Sequence, residues 1–183
     1  SYPKCNISVE PKASKEGYWK YKAEVAIWGE TTTKSNYSNS NPPTYGLAYS
    51  QLQSQGYIDS EGNLTAQHDA ATANWGSDWR MPTTKELKEL INNCTWTWTT
   101  QNGVNGYTVT GPNGNRIFLP AAGYRIDSSL DRAGSYGDYW SSSLDTDDSD
   151  GAWDLGFYLG DVSRYSHYVN VRHYGLPVRA VCE

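Results

Sequence analysis

Apolar and polar positions alternate most regularly in Ala152-Trp153-Asp154-Leu155-Gly156-Phe157-Tyr158. A period of two sends successive side chains to opposite faces of a strand, so Trp153, Leu155 and Phe157 are expected to face the core and Asp154, Gly156 and Tyr158 to face outward. A helical period appears earlier. Leu87, Leu90, Ile91 and Cys94 share one face of a helix expected from Thr84 to about Asn93, and Thr83 with Glu86 forms the T-x-x-E box that caps such a helix. Leu64 to Trp75 gives a second, shorter helix, with Asn63 or Thr65 as its cap and Ala66, Ala70, Ala71 and Ala73 as a slim face.

Strands and turns account for much of the remainder. Trp96 to Thr99 alternates, Asn105-Gly106 is expected to turn, and Tyr107 to Thr110 is a strand. A second turn at Gly111-Pro112-Asn113-Gly114 leads to Arg116 to Leu119, completing a meander that Pro120 to Gly123 breaks. Tyr18 to Trp28 is aromatic and β-branched, ends at Gly29, and is expected to pair with a strand from the far end of the chain. Residues 31 to 62 form a long irregular excursion around Asn41-Pro42-Pro43, which either binds something or packs over the fold. The pattern predicts one α+β domain over residues 1–183 with two helices, small antiparallel sheets and long loops. Within it, residues 1–62 hold the N-terminal strand and the excursion, 63–123 the helices and meander, and 124–183 the surface considered next.

Composition changes the picture at one point. From Asn102 to Cys182 there is no Lys, Glu, Gln or Met, whereas the first 101 residues hold 8 Lys, 7 Glu, 5 Gln and 1 Met. Long charged side chains are the usual means of solvating a surface, so a stretch that uses Tyr, Ser, Asp, Gly, His and Arg instead is designed for something else. Tyr gives rigid amphipathic contact area, while Ser, Gly, Asn and Asp give adaptable hydrogen bonding. The aromatic residues are 15 Tyr and 8 Trp against 2 Phe, weighted to rings that carry a polar atom. The residues expected to make contact are Asp127, Asp131, Arg132, Asp138, Asp147, Asp148, Asp150, Asp154, Tyr158, Asp161, Ser163, Tyr165, Ser166, His167, Tyr168, His173 and Tyr174, with Tyr as anchors and Asp, Ser and His as hydrogen-bonding partners.

The charge of -5 and the absence of a basic stripe argue against nucleic acid or an anionic membrane as partner. No apolar run reaches the roughly 18 residues of a spanning helix, and no signal peptide stands at Ser1, so a soluble mature fragment of a longer parent is expected. Asp145 to Gly151 puts carboxylates at alternate positions, but Asp150 stands where a calcium loop needs glycine and Gly156 where it needs a bidentate Glu. His68 reads as a structural hydrogen-bonding residue, and His167 and His173 lack metal or dyad spacing. No phosphate loop or nucleophile elbow occurs. The expectation is a protein without catalysis, cofactor or metal. Of the three cysteines, Cys5 is expected to be free. Cys94, on the apolar helix face, is a candidate partner for Cys182, which ends the strand-like Val178 to Val181. An extracellular setting favours that bridge over two buried thiols, and closing a loop of about 90 residues contributes on the order of 4 kcal/mol.

Asn74-Trp75-Gly76-Ser77-Asp78-Trp79-Arg80-Met81-Pro82-Thr83, followed by ELINNCTWTWTT, IFLPAAGYR, YWSSSL and VRAVCE, with AIWGETT upstream, resembles the Fibrobacter succinogenes major paralogous domain family. The likeness runs from about Val25 to Glu183. It implies a C-type lectin-like fold and an extracellular, cell-surface or phage-tail setting. Some similar proteins, in gut bacteria and their phages, are variable proteins of diversity-generating retroelements. These mutate adenines, and AAC or AAT codons so treated can yield Tyr, Ser, Asp, His, Asn, Arg, Gly, Leu, Ile or Val but never Lys, Glu, Gln, Met or Trp. Trp140, Trp153, Ser141 to Ser143, Leu155, Phe157, Val178 and Val181 would then be fixed scaffold. The E-P-N or Q-P-D and W-N-D triplets of calcium-dependent sugar-binding lectins do not occur. The resemblance thus implies a surface protein whose C-terminal face recognises a protein or glycan on another cell. A lectin or adhesin of fixed specificity is the alternative. A formylglycine-generating type of enzyme, which shares the fold but needs a redox-active cysteine pair, is a more distant one.

Overall fold

The computed structural model describes residues 25–159, 161–162 and 168–182, apart from the side chains of residues 162, 168, 169 and 182. In chain order the elements are β1 (Val25–Ala26), α1 (Tyr49–Ser54), α2 (Ala70–Trp75), β2 (Trp79–Arg80), α3 (Thr84–Asn93), β3 (Thr95–Gln101), β4 (Val104–Thr110) and β5 (Arg116–Pro120). There follow β6 (Tyr124–Ile126), β7 (Ser129–Asp131), β8 (Tyr136–Leu144), β9 (Gly151–Tyr158), β10 (Asp161–Val162), β11 (Tyr168–Val171), β12 (Leu176–Pro177) and β13 (Val181–Cys182). The class is α+β, with every ladder antiparallel. None of the described helices is long and apolar enough to cross a membrane.

α3 forms where its local signals put it. The Thr83 hydroxyl accepts from Glu86 N–H at 3.3 Å, and the Glu86 carboxylate accepts from Thr83 N–H at 2.8 Å. Arg80 grips the same carboxylate through both terminal nitrogens, at 2.7 and 2.8 Å. Burial alone would raise the Glu86 carboxyl, but the Arg80 fork and the Thr83 N–H outweigh it and hold the group below its usual value. Leu87, Leu90, Ile91 and Cys94 face an apolar cluster with Tyr107, Val109, Leu119, Tyr139, Leu155 and Phe157.

Other local expectations are corrected. The shorter helix begins at Ala70, not Leu64, because Asp69 supplies the cap: its Oδ1 accepts from Ala71 and Thr72 N–H at 2.8 and 3.0 Å. α1 lies inside the excursion expected to be irregular, so the described residues hold three helices rather than two. Its single fully buried side chain, Leu52, anchors it. The meander turns at Asn102-Gly103, both with positive φ (50° and 80°), rather than at Asn105-Gly106. Gly106 instead lies in β4, where an added Cβ would come within 2.3 Å of Leu119 O, the close approach that keeps a glycine in a strand. β1 pairs with β12, as expected of a strand from the far end, although residues 18–24 lie outside the described part. Val178 is buried without being in a strand, and only Val181–Cys182 of that stretch pairs, with β2.

β8 and β9 form the centre. Their alternation sends Tyr139, Leu155 and Phe157 to the cluster under α3, and Trp140 and Ala152 to a second cluster with Trp28, Leu52, Met81 and Leu176. The two tryptophans are tied to the opposite backbones: Trp28 Nε1 donates to Ser141 O and Trp140 Nε1 to Ala26 O, both at 2.9 Å. The serine triplet is buried and joins neighbours. Ser141 Oγ donates to Trp153 O at 2.6 Å, Ser142 N–H to Pro82 O, and Ser143 Oγ to Asn63 Oδ1 at 2.7 Å. With core on both sides, β9 does not have the solvent face its alternation suggests.

Candidate functional site

Antiparallel register sets the site. Tyr136 lies opposite Tyr158, Asp138 opposite Gly156 and Trp140 opposite Asp154, so these side chains share one face of the β8–β9 ladder. Asp161 on β10 opposes Tyr158, and Asn170 on β11 opposes Ala152, extending the face across the far edge of β9. From the core outward the face runs from Trp140 and Ala152 through the carboxylates of Asp154 and Asp138 to Tyr136 and Tyr158.

Asp154 and Asp138 overturn the outward expectation: they are 1% and 9% exposed. Burial raises the Asp138 carboxyl to about 6, against an opposing pull from Arg132. Burial also raises Asp154 well above the ordinary range. The neighbouring Asp138 adds to that, and a hydrogen bond from Asn170 Nδ2 to Asp154 Oδ2 at 3.0 Å opposes it. Among the described residues, Asp138 Oδ2 and Asp154 Oδ1 have no hydrogen-bond partner. At the mouth, Tyr136 and Tyr158 stack at 5.4 Å, and the Arg132 guanidinium sits 4.5 Å over the Tyr136 ring. Tyr158 is exposed, as expected, and donates its hydroxyl to Asp161 Oδ2 at 3.1 Å.

A second group gathers around His173. Its ring meets Tyr45 at 5.1 Å and Tyr174 at 5.0 Å, and Tyr174 stacks on Tyr124 at 6.2 Å. Burial lowers the imidazole below its ordinary value, while Asp127 and Asp150 pull the other way. Arg172 is fully buried beneath this group. Its Nε donates to Ser149 O at 2.6 Å and its Nη2 to Thr44 O at 2.8 Å, so it clamps the 145–150 loop to the turn at residue 44. Burial lowers Arg172, opposed by Asp150, Tyr45 and Asp148.

The acidic loop is stitched by two internal bonds and tied to residue 46 by a third. Asp145 Oδ1 accepts from Asp147 N–H, Asp148 Oδ1 from Asp150 N–H, and Asp150 Oδ1 from Gly46 N–H. Among the described residues no three His, Cys, Asp or Glu side chains converge as metal ligands. Asp127, Arg132, Asp147 and Asp148 are exposed, and Asp131, Asp150, Asp161, His173 and Tyr174 half-buried. Ser163, Tyr165, Ser166 and His167 lie outside the described residues, and Tyr168 is described only as backbone opposite Asp154. Cys94 caps α3 and is half-buried; the Cys182 backbone pairs with Trp79, its side chain lying outside the described part.

Tyr136, Asn170, Arg172, Tyr45 and Tyr124 were not singled out from the sequence. Tyr136 joins through the β8–β9 register, and the others through pairings that no local pattern encodes. Comparison with protein-family models, with curated proteins and with solved structures gave no match in any of the three.

Proposed function

We propose that this chain is a ligand-binding surface protein of C-type lectin-like fold whose C-terminal face is diversified by a retroelement to recognise a protein or glycan on another cell. The observation that carries this reading is the absence of Lys, Glu, Gln and Met from residues 102–182, the residues adenine mutagenesis of AAC or AAT codons cannot produce. In support, Asp127, Arg132, Asp147, Asp148 and Tyr158 are exposed around a frame in which Trp140, Leu155 and Phe157 are buried. Variation at the rim leaves such a frame intact.

Sequencing the DNA around the gene tests the reading. A downstream near-repeat of the segment encoding Tyr124 to Cys182, differing only where the repeat has adenine and lying beside a reverse transcriptase, is the expected result. Its absence overturns diversification and leaves a lectin of fixed specificity, for which a glycan array is the measurement. An extracellular setting also carries a Cys94–Cys182 bridge. The intact mass of the unreduced protein is expected to be two hydrogens lower than that of the reduced one, with Cys5 alone alkylated, and reduction is expected to cost about 2–4 kcal/mol in denaturant melts.

A further inference from the structure

We propose that Asp138 and Asp154 are the floor of a subsite for one cationic side chain, a lysine ammonium or arginine guanidinium, on a protein ligand. This rests on the binding reading above and names the chemistry of the partner.

The two carboxylates are more than nine-tenths buried on one face of β8 and β9, and each keeps an oxygen without a partner among the described residues. A buried acceptor left open in this way is costly, and a fold that needs a buried carboxylate for itself supplies donors. It does so at Asp69, 2% exposed, where Ala71, Thr72 and Met81 all donate backbone N–H groups at 2.8 to 3.0 Å. Asp138 and Asp154 receive one side-chain donor between them, Asn170.

Arg132 lies over the Tyr136 ring and its charge acts on Asp138, yet Asp138 Oδ2 keeps no hydrogen-bond partner among the described residues. No lysine occurs beyond residue 101. Gly156, opposite Asp138 and two residues from Asp154, carries no side chain on this face. The stacked rings of Tyr136 and Tyr158 stand at the next rung outward, a wall suited to the aliphatic stem of a long cationic side chain. An ammonium brings three donors and a guanidinium five, enough to satisfy both open oxygens with charge-assisted bonds. A neutral sugar brings hydroxyls and leaves the charge uncompensated, so a protein ligand fits better than a glycan.

The test is amide NMR of the full chain titrated with N-acetyl-lysine methylamide and N-acetyl-arginine methylamide, with N-acetyl-norleucine methylamide and methyl glucoside as uncharged probes. Saturable shifts of the Asn170 side-chain amide and of the Asp154 and Gly156 backbone amides are expected with a cationic probe alone. Asp138→Asn, which keeps shape and removes charge, is expected to weaken that binding about tenfold, the scale of one charge-assisted hydrogen bond. Tyr158→Ala, at an exposed position, is expected to weaken it with the fold intact. Equal shifts with the uncharged probes, no saturable shift with either cation, or unchanged affinity in Asp138→Asn overturns the proposal and leaves the pair as carboxyls that share a proton. The genomic repeat is an independent observation. A repeat without cation binding removes only the subsite, whereas cation binding without a repeat removes only the diversification.

Discussion

At the junction of α2 and β2 the buried Asp69 carboxylate collects three backbone N–H groups; at the outer end of β8 and β9 the buried Asp138 and Asp154 share a single side-chain donor. All three are carboxylates less than a tenth exposed, so burial alone does not separate them. The difference is what surrounds the charge. Asp69 faces a helix N-terminus, where unpaired N–H groups are in surplus, and Met81 N–H closes the set. Asp138 and Asp154 face a ladder whose backbone groups largely pair across the strands, so that the Asn170 side chain and the Asp154 backbone N–H are what serve them. One site stabilises the fold through its carboxylate. The other is held in place by the apolar clusters on both sides of the sheet.

The comparison predicts opposite signs. The largest effect is expected at the satisfied site: Asp69→Ala strands three N–H donors and removes the cap of α2, a loss of roughly 3–5 kcal/mol in the free energy of unfolding. A chemical-denaturation series measures it, and a loss under 1 kcal/mol would erase the distinction between the two sites.

The next effect is a gain. The Asp138 carboxyl, raised from 3.8 to about 6, binds its proton more tightly in the folded than in the unfolded chain. Stability therefore falls as pH rises through that interval and is recovered on acidification. Asp138→Asn removes the buried charge, so at pH 7.5 it is expected to stabilise by about 2–3 kcal/mol, and the gain is expected to shrink towards zero below the ordinary carboxylate value. Melts at several pH values check it, and a pH-independent change would show that shape rather than ionisation is responsible. The smallest effect is at the neutral cap of α3. Thr83→Ala leaves Glu86 held by Arg80 and costs about 1 kcal/mol, which measures how much of the Asp69 effect belongs to the carboxylate.

Legibility follows the range of the interaction. α3 was readable from end to end because its cap and apolar face all lie between Thr83 and Cys94. α1 was missed because six residues with one buried side chain carry no periodic signal. Two Asn-Gly pairs lay three residues apart, and the choice between them came from the fit of Gly106 against Leu119 on the neighbouring strand. The candidate contact residues divided in the same way. Exposed Asp127, Arg132, Asp147, Asp148 and Tyr158 lie at strand ends and turns marked by their sequence, whereas Asp138 and Asp154 sit mid-strand, where exposure depends on what covers the sheet.

The sequence by itself determined the α+β class, the capped helix, the meander strands and the shift in composition at residue 102, because each is set by neighbours along the chain. Tertiary structure alone decided which face of β9 is buried. A period of two separates the faces of a strand but does not say how many of them are covered, and here Trp140 and Ala152 on one side and Leu155 and Phe157 on the other cover both.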